Sequence, residues 1–468
     1  MKAGAPGAGG GARVLRGRVA ARGRTAAGGA RSDAASATVA VLRDGTRQAQ
    51  AQLARLAQRG RGPAGVEARV LAILEEVRRD GDAALARLTR QLDGVDLRKS
   101  GFEVSRREID AAAARVEPSL LRALEKAHAR IRAFHRNERE RGFDRREDGI
   151  RTGIRITPLA HAGVYVPGGK AAYPSSVLMN IVPAKVAGVP EITVVTPPSR
   201  DGIRDEVLAA ARIAGATRVL RIGGAQAVAA LAYGTQSIAR VDKIVGPGNI
   251  WVATAKRLVF GEVDIDMVAG PSEVLIVADD SADPEWVAAD MLAQAEHDEL
   301  AASICITTSP EHGARVAEAL ARQCQELPRA HIAAKSLTQY GTILVAADLD
   351  RACALANQIA PEHLQVFTRR ARTLVPKLTN AGAIFVGALT TEPLGDYAAG
   401  PNHVLPTGGS ARFASPLGVY DFVKRTSIIE VDRRGFARLE GVVTALARAE
   451  GLDAHAAAVT RRKPKRPQ

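Results

Sequence analysis

Cysteine is scarce in this 468-residue sequence: only Cys305, Cys324 and Cys353 occur. None shares a CxxC spacing, which excludes a disulfide framework and a short-spaced zinc finger and fits a reducing, cytoplasmic compartment. Aromatic residues make up 4%, too few to offer stacking platforms to a single-stranded nucleic acid. No apolar run approaches the ~20 residues that a membrane helix needs. No contiguous apolar segment near the start reads as a secretory signal. Acidic residues are nearly missing from positions 1–49, which hold nine Lys/Arg and two Asp/Glu, a net of +7. The last eight residues, RRKPKRPQ (461–468), add +5. Of the formal +15, only +3 is left for the long stretch between them. The charge therefore reads as solvated tails with at most stray polyanion affinity, and no specific nucleic-acid partner or membrane is expected.

Residues 1–40 are mostly Ala, Gly and Arg and cannot bury enough apolar surface to offset chain entropy, so a disordered basic extension is expected. The same composition is compatible with a transit-like segment or an early start codon. Residues 41–60 read as an N-terminal helical segment. Apolar side chains recur at helical spacing over 66–92. Ser105 and Glu108 have the spacing of a capping box, and Pro118 suits the first turn of a helix running on through PSLLRALEKAHARIRAF.

From about residue 154 the pattern alternates between short apolar runs and helical segments. GVYVPGG, EITVVTPP, TRVLRIGG and VDKIVGPG read as strands with helices between them. A second run has the same grammar in EVLIVADD, AASICITTS, GTILVAAD, LQVFT and GAIFVG. Such alternation predicts an α/β protein of two Rossmann-like parallel-sheet domains, with ligands beyond the carboxyl ends of the strands. The segment after residue 418 shows no sheet grammar and reads as a strand and a helical arm.

Three glycine turns end predicted strands: PGGK (167–170), IGGAQ (222–226) and GPGN (246–249). None is a full GxGxxG, and Lys170 misses the Walker spacing, so each reads equally as a tight turn or as part of a nucleotide cleft. Gln294 and His297, three apart on a predicted helix, share a face; spacing alone leaves them readable as surface polars or as two donors of a metal site. Glu362 and His363 adjoin in APEHLQV. Pro361 ends the preceding helix and pushes Ala360 towards an extended conformation. A backbone turn there lets both side chains reach one cleft, as an acid/base pair; without it they are loop polars. GDYAAGPNHVLPT (395–407) reads as a turn-rich loop carrying Asp396 and His403.

Taken together, the long blocks GVYVPGGKAAYPSSVLMN, IGGAQAVAALAYGT, VDKIVGPGNIWVATAKR, DIDMVAGPSEVLIVAD, LAQAEHD, APEHLQV and GDYAAGPNHVLPT resemble the histidinol dehydrogenase family over about residues 60–460. The resemblance implies a zinc- and NAD-dependent, four-electron oxidation of L-histidinol through L-histidinaldehyde to L-histidine, the last step of histidine biosynthesis. It implies an aldehyde-dehydrogenase-like pair of sheet domains. The first spans 61–163 and 274–417 and carries zinc and the catalytic residues; the second spans 164–273 and binds NAD. An arm over 418–457 would reach the partner's site in a homodimer, ahead of a basic tail over 458–468. By position, Gln294, His297, Asp396 and His455 would hold zinc, His455 from the other subunit. His363 would act as general base and Glu362 would activate water for the aldehyde step. Ser272, His403 and Glu450 would contact substrate with His363 and the zinc ligands; Tyr165, Gln226 and Asn249 would contact NAD.

Two other readings compete: a thiol-dependent aldehyde dehydrogenase and a non-enzymatic basic binding protein. Cys305 falls in a predicted buried strand and Cys324 and Cys353 on helices, so none is placed as a nucleophile.

Overall fold

The computed structural model describes residues 39–59, 65–98, 100–168, 173–199 and 201–462. Most of the expected 1–40 extension, positions 463–468 of the basic tail, and Gly169 and Lys170 of the PGGK turn lie outside these residues.

The chain is a mixed α/β structure with two parallel sheets. One has six strands in the order Val41–Arg43, Thr342–Val345, Ala302–Thr307, Glu273–Ala278, His363–Phe367 and Ala383–Val386. Its central strands are buried along their whole length. Alternate residues serve different cores: Val274, Ile276 and Ala278 pack into one, Leu275 and Val277 into the other. This is why these strands read as unbroken apolar runs. The second sheet has five strands, ordered Arg218–Leu220, Glu191–Val195, His161–Tyr165, Lys243–Val245 and Asp264–Ile265. Among the described residues no helix is long and apolar enough to cross a membrane.

Several expectations are corrected. Residues 41–60 are not purely helical: Val41–Arg43 is an edge strand of the six-stranded sheet, followed by the helix Arg47–Ala57. The block 61–163 does not side with that sheet. Helices Val66–Asp80 and Asp82–Leu92 pack on Gly224–Tyr233, and Arg106–Arg115 and Pro118–His135 pack on Asp205–Ala214, all against the five-stranded sheet. The apolar period over 66–92 belongs to two helices, broken at Gly81, whose φ of +57° suits glycine. The Ser105–Glu108 capping box and the first-turn Pro118 are present.

After residue 418 the strand Val423–Val431 forms an antiparallel sheet with Ile150–Pro158 and Phe143–Glu147. That sheet is largely exposed and charge-rich, so it produces no apolar run. Helices Arg433–Ala449 and Asp453–Thr460 follow, the second crossing the boundary expected at 457.

Candidate active site

A cavity of about 640 Å³ opens at the carboxyl end of the five-stranded sheet and the amino-terminal edge of Glu273–Ala278 and His363–Phe367. Ser272, Gln294, His297, Glu362, His363, Asp396 and His403 all line it. Gln294 comes from the last turn of Pro284–Ala295, a helix started by the Asp283 cap and a first-turn proline. His297 lies beyond that helix rather than on it; its amide donates to the Gln294 carbonyl (3.2 Å), which brings both side chains to one wall. Ser272 immediately precedes Glu273–Ala278, its carbonyl held by the Ala302 amide at 3.1 Å.

Glu362 and His363 reach the cavity together because the chain turns before them. Ala360 is not extended: it closes the helix Leu349–Ile359 in the left-handed region (φ 54°, ψ 63°), its amide donating to Ala356 O at 2.8 Å. Proline at 361 disfavours the right-handed region for its predecessor, and the left-handed cap keeps the last helix bond at a cost of about 1–2 kcal/mol for a non-glycine residue. His363 then begins its strand and Glu362 sits on the turn.

The Glu362 carboxylate accepts from the Glu273 amide (3.1 Å), and the Glu362 amide donates to the Glu273 carboxylate (3.2 Å). Burial pushes the Glu362 carboxyl up to about 8, against the pull of His363. His363 Nδ1 donates to the Glu273 carbonyl at 3.3 Å, which fixes the tautomer and turns Nε2 to the cavity. Nε2 lies 3.4 Å from Asp396 Oδ1, while Nδ1 is 3.8 Å from Glu362 and 4.0 Å from Glu392. Burial opposes a charged imidazole, but Glu392, Glu362 and Asp396 outweigh it and hold the His363 pKa well above its usual value.

Asp396 does not lie in an irregular loop. It occupies a π-helical turn, Gly395–Ala399, that continues the short helix Glu392–Leu394. Such turns re-aim side chains at functional sites. The Asp396 carbonyl accepts from His403 Nδ1 (2.8 Å). Burial works against ionisation of Asp396, yet His363, His403 and His297 hold its carboxyl below the ordinary value. Burial lowers the pKa of both His297 and His403; His297 is itself open to the cleft, so the surrounding protein does this rather than full enclosure.

Glu392 is the residue that sequence reasoning misses. It is buried on the same wall, with its carboxyl pushed up chiefly by burial and one oxygen, Oε2, without a hydrogen-bond partner. Neither spacing nor a block boundary marks it; the short helix that runs on into the Asp396 turn brings it to His363.

The donor set fits a divalent ion. Gln294 Oε1 and His363 Nε2 are buried without hydrogen-bond partners. Ligand atoms of His363, Glu392 and Asp396 lie within 4.8 Å of one another. Carbonyl, imidazole and carboxylate donors suit zinc or manganese. His455, on the helix Asp453–Thr460, and Glu450, which caps Arg433–Ala449, are exposed and do not line the cavity of their own chain.

A second cavity, about 780 Å³, meets the first at Pro167 and Asn249 and is lined by Tyr165, Gln226 and Asn249. The Tyr165 hydroxyl accepts from the Gly224 amide (3.1 Å). Asn249 caps the helix Ile250–Val259 through the amides of Trp251 and Val252. Gln226 donates to Asp93 at 3.4 Å and leaves its buried carbonyl oxygen unpaired. The GPGN turn needs glycine at 246, where φ is +110° and a Cβ would lie 2.1 Å from the Tyr165 carbonyl. Lys256 and Asp266 clamp that turn, on its carbonyl (2.9 Å) and amide (2.7 Å) respectively. No cysteine lines either cavity, and burial pushes the Cys305 thiol up to about 12.

A family model for histidinol dehydrogenase matches residues 57–463. The chain is 57% identical over 397 residues to histidinol dehydrogenase of Aquifex aeolicus, covering 85% of this chain and 92% of that one. It is 54% identical over 399 residues to the protein of the same name from Syntrophotalea carbinolica, covering 85% and 93%. The crystal structure of histidinol dehydrogenase from Elizabethkingia anophelis superposes with a TM-score of 0.85 at 35% identity, covering 91% of this chain and 98% of that one. On this likeness, the chain belongs to the histidinol dehydrogenase family.

Proposed function

We propose that this protein oxidises L-histidinol through L-histidinaldehyde to L-histidine, as the closing step of histidine biosynthesis, with NAD as the oxidant in both stages. The observation that carries the reading is the juxtaposition of Glu362 and His363 in one cavity with Gln294, His297 and Asp396. His363 takes the alcohol proton through Nε2, the nitrogen left free by the Nδ1 bond to Glu273. Glu362, dry and pushed up to about 8, is poised to take a proton from the water that attacks the aldehyde. Ser272 and His403 line the wall on which the substrate rests. Tyr165, Gln226 and Asn249 would hold NAD, which would supply the hydride acceptor. Zinc, held by Gln294, His297, Asp396 and His455 of the partner subunit, would orient the substrate imidazole and amine and withdraw from His363 one of the charges that keep it protonated.

The shared site rests on the terminal arm. It carries exposed apolar residues, among them Ile429 (72% exposed) and Leu446 (60%), as well as the exposed Glu450 and His455, which do not line their own chain's cavity. A homodimer that buries these residues delivers both polar groups to the neighbour. Mixing His455→Ala chains with Glu362→Gln chains should rebuild one intact site per hybrid dimer and restore about a quarter of the wild-type aldehyde oxidation. No recovery after verified subunit exchange contradicts the shared site. Chelation should abolish histidinol-dependent NADH formation and zinc should restore it; activity unchanged in tight chelator contradicts the metal assignment.

A further inference from the structure

Arg59 lies far from the catalytic pair in sequence and does not line the cavity, yet it stands directly behind it. It follows the helix Arg47–Ala57, and its guanidinium is almost fully buried, 4% exposed. Nη2 donates to the Pro271 carbonyl at 3.0 Å and pairs with the Glu273 carboxylate, which is equally buried. The other Glu273 oxygen accepts two amides, from Glu362 (3.2 Å) and from Gly408 (2.9 Å). One carboxylate thus ties the turn that carries Glu362 to the segment following His403. Both oxygens of this buried carboxyl accept hydrogen bonds, one from Arg59 and the other from the two amides.

The two catalytic residues depend on this arrangement unequally. His363 is the first residue of a strand held by its neighbours, and its ring is fixed by a main-chain carbonyl. Glu362 sits on the turn after the left-handed Ala360; its carbonyl accepts from the Ala383 amide (2.9 Å), but its own amide is held by the Glu273 side chain.

We infer that Arg59 and Glu273 form a buried clamp of positioning residues that holds the Glu362 turn in place for the aldehyde step. The inference rests on the role given to Glu362 above. The deletion of a clamp charge leaves a buried partner unpaired and lets the turn relax, whereas the His363 strand stays put.

The test supplies zinc-loaded, full-length protein separately with L-histidinol and with L-histidinaldehyde and compares the two oxidation rates, well below each variant's melting temperature. Arg59→Ala and Glu273→Gln should lower the aldehyde rate about tenfold and the alcohol step less than about threefold. Arg59→Lys, which keeps the charge, should recover most of the ratio and covers the case in which Arg59→Ala does not fold. Equal losses in both steps, or no recovery with lysine, overturn the clamp. Glu362→Gln is the parallel arm. If it separates the steps and the clamp variants do not, only the clamp is wrong; if it does not separate them, the role of Glu362 fails and the clamp's function fails with it.

Discussion

The carboxyl end of the five-stranded sheet and the neighbouring edge of the six-stranded sheet solve different problems with different materials. On the five-stranded side the cavity is built from turns: Gly246 held between Lys256 and Asp266, Gly224 donating to Tyr165, and Asn249 capping a helix. The buried Lys256–Asp266 pair there holds the main chain of the turn. On the other side three carboxyl groups, Glu362, Glu392 and Asp396, lie within 4.0 Å of one imidazole, with the buried Glu273 hydrogen-bonded behind Glu362. A receptor for a nucleotide needs backbone amides and shape, which these glycine turns provide, with the buried Lys256–Asp266 pair fixing the main chain of one of them. Proton transfer needs groups whose pKa values are displaced, and burying several acids beside one histidine displaces them.

That contrast can be broken by paired substitutions. His363→Ala should lower kcat for alcohol oxidation by about 10²–10⁴-fold, the usual contribution of a placed acid–base group. Gln226→Ala should act on the other cavity only, raising KM for NAD about tenfold with kcat within about threefold. Steady-state kinetics with varied NAD would show it, and a large kcat loss in Gln226→Ala would erase the division between the two sides.

The smallest effect concerns Asp93, the half-buried acid of the turn-built side. Burial raises its pKa from 3.8 to about 6. The folded state then binds more protons than the unfolded state between these values, so this group's contribution to stability declines as pH rises from about 4 to about 6 and stays low above that. Asp93→Asn should flatten that part of the stability profile, measured by denaturant melts at several pH values. A slope identical to that of the parent chain would mean that Asp93 is not buried as described.

The two parallel sheets were legible in the sequence because their strands are covered on both faces and read as apolar runs, as in Glu273–Ala278. The antiparallel sheet was not, because Phe143–Glu147 is almost wholly charged and Val423–Val431 mixes charged, polar and exposed apolar residues without a clear period. The side taken by the helices over 66–135 was hidden too, since an amphipathic period says that a face is buried but not against what. Within the site, Glu362 and His363 stood out as adjacent titratable groups, although the turn that aims them depends on a left-handed Ala360 that the Pro361 rule alone did not give. Asp396 was visible but its π-helical turn was not, and Glu392 and Arg59 carry no local signature, because their importance comes entirely from long-range contacts. His455 was assigned through family resemblance; its exposed position shows why spacing within one chain could not place it.

The central claim is that one cavity performs both oxidations on a retained substrate. The most direct check counts the NADH formed per L-histidinol consumed by the zinc-loaded protein, with L-histidine measured at the end. The account predicts two NADH and one L-histidine for each L-histidinol. A stoichiometry of one, with free aldehyde accumulating, would contradict it.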